Sequence, residues 1–180
     1  MISLVILAAG KSTRMKENKL LLNIDGETLI EHVVRTARRS TVDEVVVVLG
    51  YEAQKLKEHL SGLDCKLVIN ENYAKGQSES VKAGLTAISS NADALMFLPA
   101  DVALIDAQSI NGVAEEYRRS KSRIIIASHN RQSGHPILID RALFHEVAGI
   151  NEETLGLKAV INRHRPEINY VAVGTENVLI

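Results

Sequence analysis

Glu44-Val45-Val46-Val47-Val48-Leu49 decides the fold. A strand with one wet face alternates apolar and polar side chains. Four valines in a row instead call for burial on both faces, which a parallel sheet covered by helices provides. Ile124-Ile125-Ile126 repeats the signal, and Ile2-Ser3-Leu4-Val5-Ile6-Leu7-Ala8 comes close to it. Working outward, strands are expected at Ile2–Ala8, Glu44–Leu49, Lys66–Asn70, Ala94–Leu98, Arg123–Ser128, Ile137–Ile139 and Ile168–Val173. Between them lie helical patterns. Leu29, Ile30, Val33, Val34 and Ala37 form an apolar stripe, with Glu31, Arg35, Arg38 and Arg39 facing away. Thr28 and Glu31 fit a capping box at its start. Ala53, Leu56, Leu60 and Leu63 mark a second helix, and a third is expected from Glu79 through Ile88 with Ser78 as its N-cap. Others are expected at Ala107–Arg119, Arg141–Ala148 and Thr154–Asn162. Strand and helix in regular succession give an α/β, doubly wound, mostly parallel sheet with helices on both faces, in one domain over residues 1–180.

Composition narrows the function. The 180 residues are 46% hydrophobic and 24% charged, enough apolar material for a large core. Lys and Arg number 21 against 22 Asp and Glu, for a net charge of −1, which speaks against a nucleic-acid or membrane-surface binder. Aromatics are 3% with no Trp, so a base-stacking platform is not expected. The single cysteine, Cys65, excludes an internal disulfide and a cysteine zinc cluster, and reads as a core thiol. The apolar run at the start lacks a preceding positive charge and is too short to span a bilayer, so a cytoplasmic location is expected.

Four irregular stretches follow strands: Ala9–Leu20, Asn70–Gln77, Asn130–Pro136 and the residues just after Leu98. In an open α/β sheet, ligands bind at the carboxyl ends of the strands, so all four can open onto one site. Small residues Ala8, Ala9 and Gly10 let a ligand approach the backbone, and Gly10 permits dihedrals other residues avoid. Lys11, Arg14, Lys16 and Lys19 then place four cations within nine residues against one acid, Glu17, a density that suits a triphosphate. Gly10-Lys11-Ser12 is not a Walker loop, because Val5 stands where that motif needs glycine. In Leu98-Pro99-Ala100-Asp101, a carboxylate just past a buried strand is a candidate Mg2+ ligand. Gly76-Gln77-Ser78 leads into a helix N-terminus able to read a base or ribose. His135, in Ser133-Gly134-His135-Pro136, is a candidate contact for an acceptor substrate. His145-Glu146 lacks the second histidine of a zinc protease, since Gly149 holds that place.

These residues resemble a known family. Leu7-Ala8-Ala9-Gly10, Arg14-Met15 and Lys19-Leu20 resemble the signature loop of nucleotidyltransferases with a MobA-like, Rossmann-like fold. Gly76-Gln77-Ser78-Glu79-Ser80 through Leu85, with Gly134-His135-Pro136, resembles the molybdenum cofactor cytidylyltransferase branch, which couples CTP to molybdopterin and releases pyrophosphate. The resemblance implies nucleotide binding by Leu7, Ala8, Ala9, Gly10, Lys11, Arg14 and Lys19, with Gly76 and Ser78 helping at base or ribose. Within that set Lys11 and Arg14 would hold the β- and γ-phosphates, and Lys19 would neutralise the α-phosphate. It implies Mg2+ on Asp101, with Glu176 as a second candidate ligand, and molybdopterin against His135. Lys19, Arg14 and Asp101 are then the catalytic candidates, and contact with a molybdoenzyme becomes an expected partnership.

The chain departs from that pattern at three places. Lys16 follows Arg14-Met15 where the family has glycine. Ala100-Asp101-Val102-Ala103 is blander than the usual sequence. The sequence stops at Val178-Leu179-Ile180, where relatives continue into an Asp/Thr/Pro/Glu-rich segment, so either a terminal helix is absent or the sequence ends short of it. Two other functions fit the residues less fully: nucleotidyl transfer to a sugar-phosphate or polyol-phosphate, and a non-catalytic accessory protein that binds molybdenum cofactor.

Overall fold

Seven strands hydrogen-bond into one sheet in the order β5-β4-β1-β6-β8-β7-β9. In the computed structural model, which describes residues 1–11 and 18–179, these are β1 (Ile2–Ala8), β4 (Glu44–Leu49), β5 (Lys66–Ile69), β6 (Ala94–Pro99), β7 (Ile124–His129), β8 (Gln132–Asp140) and β9 (Ile168–Ala172). Two short strands, β2 (Asn23–Ile24) and β3 (Glu27–Thr28), form a separate hairpin ahead of α1 (Leu29–Arg38). The remaining helices are α2 (Ala53–Leu60), α3 (Gln77–Ala87), α4 (Ala107–Ser120), α5 (Phe144–Ala148) and α6 (Leu157–Arg163). Every pairing in the large sheet is parallel except those of β8, which runs antiparallel to both β6 and β7. The expected fold class is the observed one.

The valine run behaves as its composition demands. Val45, Val47 and Leu49 enter one core with Leu4 and Ile6 of β1 and Met96 and Leu98 of β6, beneath α1, α2 and α4. Val46 and Val48 enter the other with Val5 and Phe97, beneath α3, α5 and α6. The strand period of two is intact, but both faces are dry, so no polar alternation shows in the sequence. Glycine sets the depth on the second face. A Cβ at Gly84 of α3 would stand 2.5 Å from Val5 Cγ1, so the helix lies almost on the strand.

Local chemistry explains the helix starts. Thr28 and Glu31 form the expected capping box, the Thr28 N–H donating to Glu31 Oε2 at 2.8 Å. Asp106 caps α4 by accepting from the Ser109 N–H at 2.6 Å. The third helix departs from expectation. It begins at Gln77 with Gly76 in the N-cap position, and Ser78 lies inside its first turn without capping it. Its cap comes from another segment: Glu152 Oε1 accepts from the Ser78 N–H at 2.5 Å.

The Asn130–Pro136 stretch is also corrected. The chain reverses at Asn130 and Arg131, both with positive φ (48° and 66°), and β8 begins at Gln132. Gly134, His135 and Pro136 therefore belong to a strand. Glycine and proline disguise it, yet Pro136 falls where the β7–β8 register shifts and beyond the last β6 pair, Phe97–Ile137. Proline costs no ladder bond at such a break. The helix expected over Arg141–Ala148 divides into a 3-10 turn (Arg141–Leu143) and α5, and the last helix starts at Leu157. Cys65 is half-buried against the first core, and burial raises its thiol pKa.

Candidate active site

The chain leaves β1 toward β4 and β5 on one side, then crosses to β6 on the other. That reversal opens a crevice at the carboxyl ends of β1 and β6, where ligands of doubly wound sheets bind. The end of β1 is pinned from both sides. The Ala100 N–H donates to the Leu7 carbonyl at 3.0 Å, and the Tyr51 N–H donates to the Ala9 carbonyl at 3.2 Å.

On the β4–β5 side, the loop after β1 meets the loop after β5. Gly50, at the end of β4, permits the contact, because a Cβ there would lie 2.6 Å from Tyr73 Cβ and 2.8 Å from Ala9 Cβ. Tyr73 opens a 3-10 turn, Tyr73–Lys75, that delivers the chain to Gly76 and α3. Lys11 Nζ stands 5.7 Å from the Tyr73 ring centroid, a cation–π distance. Asn70 braces this side from within. Its amide donates to Ser80 Oγ at 3.0 Å, and its Oδ1 accepts from the Asn72 N–H at 2.9 Å. Lys19 opens the 3-10 turn Lys19–Leu21, fixed by the Asn18 Oδ1 bond to the Leu20 N–H and by the buried Leu20 side chain.

On the other side, Asp101 is exposed in the turn after β6 and accepts no hydrogen bond among the described residues. Because β8 runs antiparallel to β6, its amino-terminal part returns to this same edge and sets His135 within electrostatic reach of Asp101. Burial pulls the His135 pKa below its usual value, with Asp101 opposing. His135 Nδ1 is buried and has no partner among the described residues. An orphaned ring nitrogen at a crevice is an unmet hydrogen-bonding group. Gly134 draws the C-terminal 3-10 turn, Glu176–Val178, onto β8: a Cβ there would stand 2.3 Å from the Val178 carbonyl oxygen. Glu176 begins that turn and is exposed.

Most of the expected residues thus gather at one edge, in two groups. Several details differ from expectation. The Ala8 side chain lies in the first core, and Leu7 packs against the second, so only their backbone faces a ligand. Gly10 does not use its conformational freedom: its φ is not positive, and an added Cβ would meet nothing within 4 Å among the described residues. Arg14 and Lys16 lie outside the described residues. No group of three or more His, Cys, Asp or Glu gathers among the described residues, so Asp101 and Glu176 form no protein-only metal cage there. Sequence reasoning missed Gly50, Tyr73 and Glu152 as parts of the site. A glycine directly after a buried strand could have signalled Gly50, while Glu152 is 74 residues from Ser78 and leaves no local signature.

The model of the MobA-like NTP transferase domain family matches residues 4–168, from β1 to the start of β9, and takes in the loops after β1, β5 and β6. The chain belongs to that family. Among curated relatives, the bifunctional protein GlmU of Synechococcus sp. (strain RCC307) is 29% identical over 128 residues, 70% of this chain and 28% of that protein. This MobA-like chain thus spans under a third of that relative's length. A nucleotidyl transferase from Methanothermobacter thermautotroptrophicus superposes with TM-score 0.83 at 24% identity, over 97% of this chain and 88% of the other. The manganese complex of Rv0371c from Mycobacterium tuberculosis H37Rv superposes with TM-score 0.80 at 21% identity, over 96% and 88%. CMP:2-keto-3-deoxy-manno-octonic acid synthetase complexed with CTP gives TM-score 0.77 at 15% identity, over 96% and 89%. Each of these structures shares the MobA-like fold. No helix among the described residues is long and apolar enough to cross a membrane.

Proposed function

We propose that this chain transfers the cytidylyl group of CTP to the phosphate of molybdopterin and releases pyrophosphate. The observation that carries nucleotidyl transfer is the pairing of two half-sites across the β1–β6 crevice. One is a backbone-and-lysine cradle, and the other is an exposed carboxylate beside a buried histidine nitrogen that has no partner among the described residues. An acceptor phosphate oxygen attacks the α-phosphorus, the bond to the β-phosphate breaks, and pyrophosphate leaves. Such transfers ask the protein for alignment and charge neutralisation and require no protein nucleophile.

In this reading the backbone of Leu7 to Gly10 lies against base and ribose, joined by Gly76 and Ser78. Lys11, held over Tyr73, and Arg14 take the β- and γ-phosphates, and Lys19 faces the α-phosphate. His135 meets the pterin. Asp101 fits Mg2+, since magnesium is commonly held by one or two carboxylates with substrate phosphates and water completing its shell. When bound, the ion would screen the triphosphate charge; Glu176, in the turn packed on β8, is the candidate for a second carboxylate. The choice of CTP rests on the resemblance to the cytidylyltransferase branch, and a CTP complex on the same fold supports it. Cytoplasmic molybdenum cofactor synthesis, with handover to a molybdoenzyme, follows from this acceptor.

A second reading has its own support. The similarity to GlmU extends over 70% of the chain and favours transfer to a sugar-phosphate. Titration calorimetry with CTP, GTP, UTP and ATP, each with and without Mg2+, separates the cases. Mg2+-dependent preference for CTP is expected. Preference for UTP moves the acceptor toward sugar-phosphates, and absence of binding to all four removes the transferase reading in favour of an accessory protein.

A further inference from the structure

We propose that Glu152 is a latch on the nucleotide pocket: in the free protein its carboxylate occupies the N-terminus of α3, and an incoming nucleotide must expel it. This rests on the reading of Gly76 to Ser78 as part of that pocket.

The first turn of a helix offers backbone N–H groups with no partner inside the helix. In α3 that place is taken by Glu152, whose Oε1 accepts from the Ser78 N–H at 2.5 Å. The fit is shaped from both sides. Gly76 has φ +124°, and a Cβ there would lie 2.2 Å from Glu152 Cγ, so the carboxylate fills the space that glycine leaves. Gly156, at φ +56°, brings the segment 151–156 so close that its Cβ would stand 2.8 Å from Ser78 Oγ. Yet the arrangement is incomplete. Ser78 is only 2% exposed and its hydroxyl has no hydrogen-bond partner among the described residues, although it lies near enough to help hold the Glu152 carboxyl below the usual range. The site satisfies the helix amide and leaves the buried hydroxyl beside the Glu152 carboxylate without a well-formed hydrogen bond, as expected of a pocket holding a stand-in for its ligand.

The segment carrying Glu152 holds its own shape through internal hydrogen bonds. Its closure is internal: the Gly156 N–H donates to the Asn151 carbonyl at 2.8 Å, and the Thr154 N–H to Asn151 Oδ1 at 2.9 Å. Leu155 sits in it at φ +67° with 66% of its surface exposed, a costly conformation for a branched side chain and no apolar shelter in return. A base or ribose acceptor atom and the Glu152 carboxylate cannot use the same N–H together. The latch therefore reduces apparent affinity by the fraction of molecules in which it is open.

The test is CTP binding by calorimetry, or binding of whichever of the four triphosphates binds best, to the wild-type chain and to Glu152→Gln and Glu153→Gln. Both variants remove one exposed negative charge, and only Glu152 holds the helix. Expected is an affinity about fivefold or more higher for Glu152→Gln, with Glu153→Gln within about twofold of wild type. In the wild type, the amide resonances of Gln77 and Ser78 should move on nucleotide addition. Equal affinity, a loss of affinity in Glu152→Gln, or an equal gain in both variants overturns the latch alone. Failure of all three proteins to bind any nucleotide removes the pocket reading, and the latch with it.

Discussion

Lys19→Ala is expected to lower the rate of pyrophosphate release about 10²- to 10³-fold, the effect of deleting one preorganised donor to developing charge. The position is prepared before any ligand arrives. Asn18 Oδ1 holds the Leu20 N–H, and Leu20 is buried, so the turn that begins at Lys19 is anchored on its far side. A lysine on such a turn presents a compact charge from a fixed backbone. If it acts on the α-phosphate as bonds change, kcat falls while CTP affinity shifts by no more than about threefold, because the interaction strengthens mainly in the transition state. Lys19→Arg should recover part of the rate, as it keeps the charge but alters its reach and shape. A loss confined to KM would instead make Lys19 an ordinary ground-state contact.

The second large effect is on stability. Gly134→Ala places a Cβ 2.3 Å from the Val178 carbonyl oxygen and 2.8 Å from its carbon. Both are backbone atoms, which cannot swing aside as a side-chain end can. Val178 is fully buried and belongs to the first core, so relief requires moving a packed turn. A cost of about 2 kcal/mol is expected for such overpacking, lowering Tm by roughly 4–8 °C for a chain of this size. Thermal unfolding by circular dichroism reads it directly. An unchanged Tm would mean that the C-terminal turn does not rest on β8. Gly10→Ala is the natural control, since a Cβ there meets nothing among the described residues.

What could be read in the sequence follows from how local its causes are. Ile2–Ala8 and Glu44–Leu49 are found within their expected bounds because continuous apolar runs leave few other solutions. The capping box at Thr28 and Glu31 is a three-residue interaction and was equally legible. The first-loop motif points to the family whose model matches the chain, and the strand-end rule brings the loops after β1, β5 and β6 to one edge of the sheet. Features decided by distant residues were hidden. Ser78 looked like a cap because serine before a helix usually is one, but Glu152 took that work from across the fold. The Gly134–Pro136 strand reads as a loop because its residues suit turns, and only the register shift that leaves these three residues facing Ala127 alone explains their tolerance. Gly50 and Tyr73 matter through their contact with each other, which no spacing encodes.

The most direct test is pyrophosphate release from CTP with Mg2+, with molybdopterin and a sugar 1-phosphate supplied in parallel as acceptors. The expected result is release that requires molybdopterin and CTP together and is lost in Asp101→Ala. Release only with the sugar-phosphate would keep nucleotidyl transfer and change its acceptor. No release from any pairing of the four triphosphates with either acceptor would contradict nucleotidyl transfer by this chain.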